Sequence, residues 1–144
     1  MKLAIVEDEV ILAMALTLML EDWGHQVIGT ADTEAGALAL VETRRPDAVL
    51  MDIRLGRKDS GLLAARRIRE SSDVPIVFCT AYADSEPVQA EVCAIDNAHL
   101  VGKPVDEEQL EWLLRNIEAR LGKVASSAFA ASIAPALQTA ANDR

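Results

Sequence analysis

Five side chains in this sequence have the types needed to act together on a phosphoryl group: Glu7, Asp8, Asp52, Thr80 and Lys103. Carboxylates brought close repel one another, so protons or a cation must compensate them, and hard oxygen ligands favour Mg²⁺ or Mn²⁺. Such a cation also neutralises phosphoryl oxygens, and a carboxylate is a competent nucleophile for making an acyl phosphate. Asp52 is then the expected phosphoacceptor, with Glu7, Asp8 and Asp52 itself as metal ligands. The Thr80 hydroxyl and the Lys103 ammonium would each bind a remaining phosphoryl oxygen and share its charge with the metal.

Residues this far apart in the chain need a fold that gathers them. Lys2-Leu3-Ala4-Ile5-Val6 is a short apolar run ending in acid, as a strand buried on both faces reads. A helix rich in Leu, Met and Ala, expected to be extensively buried, follows from about Glu9 to Asp22, and Trp23-Gly24 stops it. Gln26 to Thr30 reads as a strand and Thr33 to Thr43 as a helix ended by Arg44, Arg45 and Pro46. Ala48-Val49-Leu50-Met51 is a third strand with Asp52 at its end and a loop holding Leu55, Gly56 and Asp59 beyond. Ser60 or Gly61 opens a helix through Arg69, and Ile76 to Cys79 is a strand that ends at Thr80. Ser85 is the expected N-cap of a helix reaching about Ala94, with Pro87 in its first turn, and Ala98 to Val101 is the fifth strand, closed by Lys103-Pro104. The last helix has Asp106 as N-cap, Gln109 three residues later, and Leu110, Leu113, Leu114, Ile117 and Leu121 on one stripe before Gly122.

Five strands alternating with five helices predict an α/β fold, a doubly wound parallel sheet with helices on both faces. Sites in such sheets form outside the carboxyl ends of the strands, which is where all five candidate side chains fall. Glu7, Asp8 and Glu9 standing alone would read as helix N-terminal acids. Thr80 and Lys103 alone would read as a strand end and a solvated charge. Their weight is collective.

Composition narrows the function. The 144 residues carry a net charge of −9, which argues against direct nucleic-acid binding because phosphate contacts need clustered Lys and Arg. Val10 to Leu20 is too short to span a bilayer and follows acids rather than a basic segment, so no membrane or export role is expected. Cys79 and Cys93 fall in a strand and a helix, which predicts free thiols in a reducing cytoplasm. His25 and His99 lack a spaced ligand partner and read as structural or exposed.

Glu7-Asp8, Asp52, Thr80 and Lys103-Pro104 at these separations closely resemble the receiver domain of bacterial two-component response regulators, over about residues 1 to 121. Met51 to Leu55 and Ala64 to Arg69 also look like that family. The resemblance implies a flavodoxin-like fold with strand order 2-1-3-4-5. It implies a phosphohistidine donor on a histidine kinase or phosphotransfer protein, a metal that also takes the backbone carbonyl of Arg54, and a cis Lys103–Pro104 peptide. It further implies output through the surface of the fourth helix, fifth strand and fifth helix.

The sequence departs from the family where the residue three before the lysine is often Tyr or Phe. Here it is Leu100, so the usual aromatic switch is missing, and Tyr82, two after Thr80, is the nearest substitute. Trp112 lies off the apolar stripe of the last helix and reads as a homodimer or partner contact. From about Val124 the chain turns Ala- and Ser-rich, with Phe129, Ile133 and Leu137 four apart and Pro135 among them, a short helix or a disordered tail. No output domain is expected in it.

The resulting reading is a stand-alone receiver that signals by contact or serves as a phosphate sink. A receiver-fold binding module that is never phosphorylated is the alternative, though it would normally have lost one of the site residues. A metal-dependent phosphatase would want a second acid two residues after the nucleophile. That position is Arg54, which cannot act as an acid at neutral pH.

Overall fold

The computed structural model describes residues 1–122. Its elements are β1 (Lys2–Val6), α1 (Val10–Asp22), β2 (Gln26–Ala31), α2 (Glu34–Arg44), β3 (Ala48–Met51), β4 (Arg54–Leu55), β5 (Asp59–Ser60), α3 (Gly61–Arg69), β6 (Ile76–Thr80), α4 (Glu86–Cys93), β7 (Ala98–Gly102) and α5 (Glu107–Arg120). Five strands form one parallel sheet in the order β2-β1-β3-β6-β7, while β4 and β5 pair antiparallel as a small hairpin. With the hairpin set aside, the sheet order is the expected 2-1-3-4-5. The hairpin itself has no counterpart in the sequence reading. The Ala- and Ser-rich tail, with Phe129, Ile133 and Leu137, lies outside the described residues.

The sheet forms around central strands that are almost wholly apolar, flanked by edge strands that are only partly buried. Every residue of β3 and β6 is buried, as strands covered on both faces require. Ala4, Val6, Val49, Met51, Ile76 and Phe78 join α2 and α3 side chains, among them Val41, Leu62, Ala65 and Ile68, in one cluster. The alternate residues Leu3, Ile5, Leu50 and Val77 are as deeply buried and point to the opposite face. Each large side chain so placed stabilises the fold by roughly 1.5–3 kcal/mol before entropy is subtracted.

Helix ends follow local chemistry. The Thr33 side chain accepts from Gly36 N–H at the start of α2, and Ser60 does the same for Leu63 N–H at α3. Asp106 accepts from Gln109 N–H at 3.1 Å. Ser85 is the N-cap of α4 but makes no side-chain cap bond.

One expectation fails. Helix α1 buries Ala13, Leu16 and Leu20 but leaves Val10, Ile11, Met14 and Leu18 exposed, Ile11 by 82%. A helix apolar on every side carries no periodic signal to say which face turns inward. The last helix behaves closer to its pattern: Leu110, Leu114 and Ile117 are buried, whereas Leu121 is exposed.

Candidate functional site

The register of the central strands assembles the site. Val6 lies opposite Met51, Met51 opposite Phe78, and Thr80 opposite Gly102, so the residues that follow these strand ends share one layer. Backbone bonds extend the alignment past the strands. Asp52 N–H donates to the Val6 carbonyl at 2.9 Å, Glu7 N–H to Ala31 at 2.9 Å and Lys103 N–H to Thr80 at 2.8 Å.

Glu7, Asp8 and Asp52 each offer a carboxylate oxygen within 4.8 Å of the others. The Lys103 ammonium lies 2.9 Å from both Glu7 Oε2 and Asp52 Oδ2, and Arg54 N–H donates to Asp52 Oδ1 at 3.2 Å. Asp8 Oδ2 accepts from Gly56 N–H at 3.0 Å, and Thr80 Oγ1 from Tyr82 N–H at 3.2 Å. Asp52, Thr80, Lys103 and Asp8 line a cleft of about 230 Å³. All five side chains singled out by sequence are thus brought together.

Depth differs among them. Glu7 is only 5% exposed and Thr80 1%, while Asp52 and Lys103 are partly accessible. Burial pushes the Glu7 carboxyl above its ordinary value against the pull of the Lys103 hydrogen bond, and the Asp52 charge adds to the rise. Burial works against the Lys103 charge, but hydrogen bonds to Asp52 and Glu7 outweigh it and hold the ammonium above its usual range. Three carboxylates facing one ammonium leave two negative charges uncompensated, which a divalent cation matches in sign, size of charge and ligand type. The donor set therefore fits Mg²⁺.

The remaining sequence candidates fall around this centre. Lys103–Pro104 is cis, as the resemblance implied. Tyr82 is partly exposed at the cleft and its ring stacks under the Arg54 guanidinium. Leu100 is half-buried in a separate hollow between β7 and α4, with Gln89, Val92 and His99. Trp112 is 66% exposed. His25 Nδ1 lies 3.1 Å from the Met1 amino group, a structural contact. Cys79 and Cys93 are both free, and burial pushes the Cys79 thiol up to about 12.

Three participants escaped the sequence reading. Gly56 supplies the N–H that fixes Asp8, and its φ of 66° explains why glycine stands there. Asp59 accepts from Glu34 N–H at 2.8 Å and so ties the hairpin to the start of α2. Gly61 packs directly on the Asp52 backbone carbonyl, where any Cβ would collide. The LGRKDSG stretch signalled a loop but not these partners.

A parallel five-stranded sheet with three acids, a hydroxyl and a lysine at its carboxyl edge defines a class of phosphoacceptor domains. Residues 3–115 match the response regulator receiver domain of two-component systems, and the chain belongs to that family. The phyllosphere-induced regulator PhyR of Methylorubrum extorquens is 39% identical over 84 residues, which are 58% of this chain and 32% of that regulator. The transcriptional regulatory protein PdtaR of Mycobacterium tuberculosis is 35% identical over 100 residues, 69% of this chain and 48% of PdtaR. The chain thus spans half or less of these two relatives. Among solved structures, the receiver domain of a Pseudomonas aeruginosa sensor histidine kinase, with magnesium coordinated in its active-site cleft, aligns with a TM-score of 0.69 and 29% identity over 85% of this chain and 98% of that one. Among the described residues no helix is long and apolar enough to cross a membrane.

Proposed function

We propose that this receiver accepts a phosphoryl group on Asp52 from the phosphohistidine of a histidine kinase or phosphotransfer protein. A carboxylate oxygen of Asp52 attacks phosphorus, the bond to the donor imidazole breaks, and its electron pair returns to the ring nitrogen. Lys103 and Thr80 bind phosphoryl oxygens as charge shifts between donor and acceptor. The Glu7, Asp8 and Asp52 carboxylates and the Arg54 carbonyl would hold Mg²⁺ or Mn²⁺, which when bound neutralises the crowded oxygens. The observation that carries the reading is the Lys103 ammonium 2.9 Å from both Glu7 and Asp52, within a triad of acids.

Catalysis in this reading is confined to the domain's own phosphorylation and dephosphorylation. Downstream, the phosphorylated form signals by contact with another protein or drains phosphoryl groups from a kinase. Tyr82 stands in for the aromatic absent at Leu100, and Trp112 supplies a partner or homodimer contact. Two free thiols suit a cytoplasmic setting. A phosphotransfer protein labelled on histidine tests the proposal: label should move to the wild type with Mg²⁺ and fail to move to Asp52→Asn or in excess chelator. Transfer that ignores both changes would refute it.

A further inference from the structure

The face of α1 that turns away from the sheet is apolar along its whole length. Val10, Met14 and Leu18 are exposed by 70%, 61% and 68%, and Ile11 beside them by 82%. The acceptor chemistry uses none of the four, and none belongs to the core. Exposures of this size leave roughly 500 Å² of apolar side chain on one helix, near the upper end of the largest patch on an ordinary monomer and more than half of the about 800 Å² that each partner buries in a standard interface.

Charge and shape together say what covers this face. Two copies of a chain of net charge −9 repel over most of their surfaces, yet Val10 to Leu20 holds no charged side chain. The relief is self-complementary as well. Val10, Met14 and Leu18 stand four residues apart and so form one ridge along the helix. Beside it runs a hollow of about 530 Å³, bounded by that ridge and by Thr30 and Ala31 of β2, with the smaller residues Ala13 and Thr17 between. The Thr17 hydroxyl already donates to the Ala13 carbonyl at 2.8 Å, so covering it strands no donor. Glu7, Asp8 and Asp32 also border the hollow, at the N-terminal end of α1 and away from Met14.

We propose that this face pairs with the same face of a second copy, giving a twofold dimer through α1. Ridges of this spacing interdigitate with the helix axes crossed at about −50°. Met14 then lies on the twofold axis, and Val10 of each copy meets Leu18 of the other. The crossing also splays the helix ends, which carries Glu9, Glu21 and Asp22 of the two copies apart. Because the contact is isologous it closes at two chains. The pairing does not depend on phosphoryl acceptance, and it uses a different surface from Trp112.

Sedimentation velocity of the full chain at concentrations up to about 0.5 mM tests this, since an interface of modest area associates weakly. The average mass should rise from that of one chain towards that of two. Salt should tighten the dimer by screening the repulsion between the acidic copies. Met14→Glu and Met14→Lys change an exposed side chain, so both should keep the wild-type melting temperature. Each should weaken self-association at least about a hundredfold, because like charges meet on the axis. An equimolar mixture of the two variants should associate at least about tenfold more tightly than either alone, which loss of a merely structural residue would not produce. Trp112→Ala and Asp52→Asn should dimerise like the wild type. A wild type that stays monomeric throughout, growth beyond two chains, Met14 variants that still dimerise, or a mixture that stays as weak as its components would overturn the proposal. None of those results would bear on Asp52 as phosphoacceptor.

Discussion

At the scale of single residues, the site is organised by one cation. Lys103 bridges Glu7 and Asp52, and Glu7 is too deeply buried to exchange that partner for water. Lys103→Met should abolish phosphoryl acceptance and also destabilise the fold by about 2–3 kcal/mol, because it leaves a buried carboxylate without its counter-charge. Adding Mg²⁺ should recover part of that loss, a difference read from thermal melts with and without the metal. An unchanged melting temperature would show that Lys103 is not what balances the acids. That these five side chains would cluster was legible in the sequence, because each ends or closely follows an apolar run whose burial fixes where it must emerge. The Arg54–Tyr82 stack was not, since two side chains from separate loops meet only once the sheet has placed those loops together.

At the scale of elements, the β4–β5 hairpin does more than connect. Its Gly56 N–H holds Asp8, its Asp59 holds the start of α2, and Gly61 behind it lets α3 pack on the Asp52 backbone. Gly61→Ala puts a Cβ against backbone that cannot rotate away, so a loss of about 2–4 kcal/mol is expected in urea unfolding, with phosphoryl acceptance reduced in whatever remains folded. Asp59→Ala removes only one capping bond and should cost about 1 kcal/mol by the same measurement. Equal stability of Gly61→Ala and wild type would contradict the close packing. The strands and helices were readable from apolar runs and turn residues, to within a residue or two. The hairpin was not, because two-residue strands carry no periodicity, and the exposed face of α1 was not, because Leu, Met, Ile and Val surround that helix.

At the scale of the whole molecule, burial sets the response to alkali. The Cys79 thiol ionises at about 12 in the fold against an ordinary 9.0, and Lys103 is raised above its ordinary 10.5. Both groups keep their protons longer folded than unfolded. The stability they contribute is therefore complete below about pH 9 and drains as pH rises towards 12, by up to about 1.4 kcal/mol per unit for each group within its window. Urea midpoints at pH 8 and pH 11 check this, with a lower midpoint expected at pH 11 and a smaller drop in Cys79→Ala. Native protein should likewise react with a thiol reagent at Cys93 alone, and at both cysteines once unfolded. Phosphoryl acceptance at Asp52 is tested most directly by intact mass and peptide mapping after incubation with a small phosphodonor and Mg²⁺. A single phosphoryl adduct on the peptide holding Asp52, absent from Asp52→Asn, is the predicted result, whereas no adduct on the wild type, or one that survives in Asp52→Asn, would contradict it.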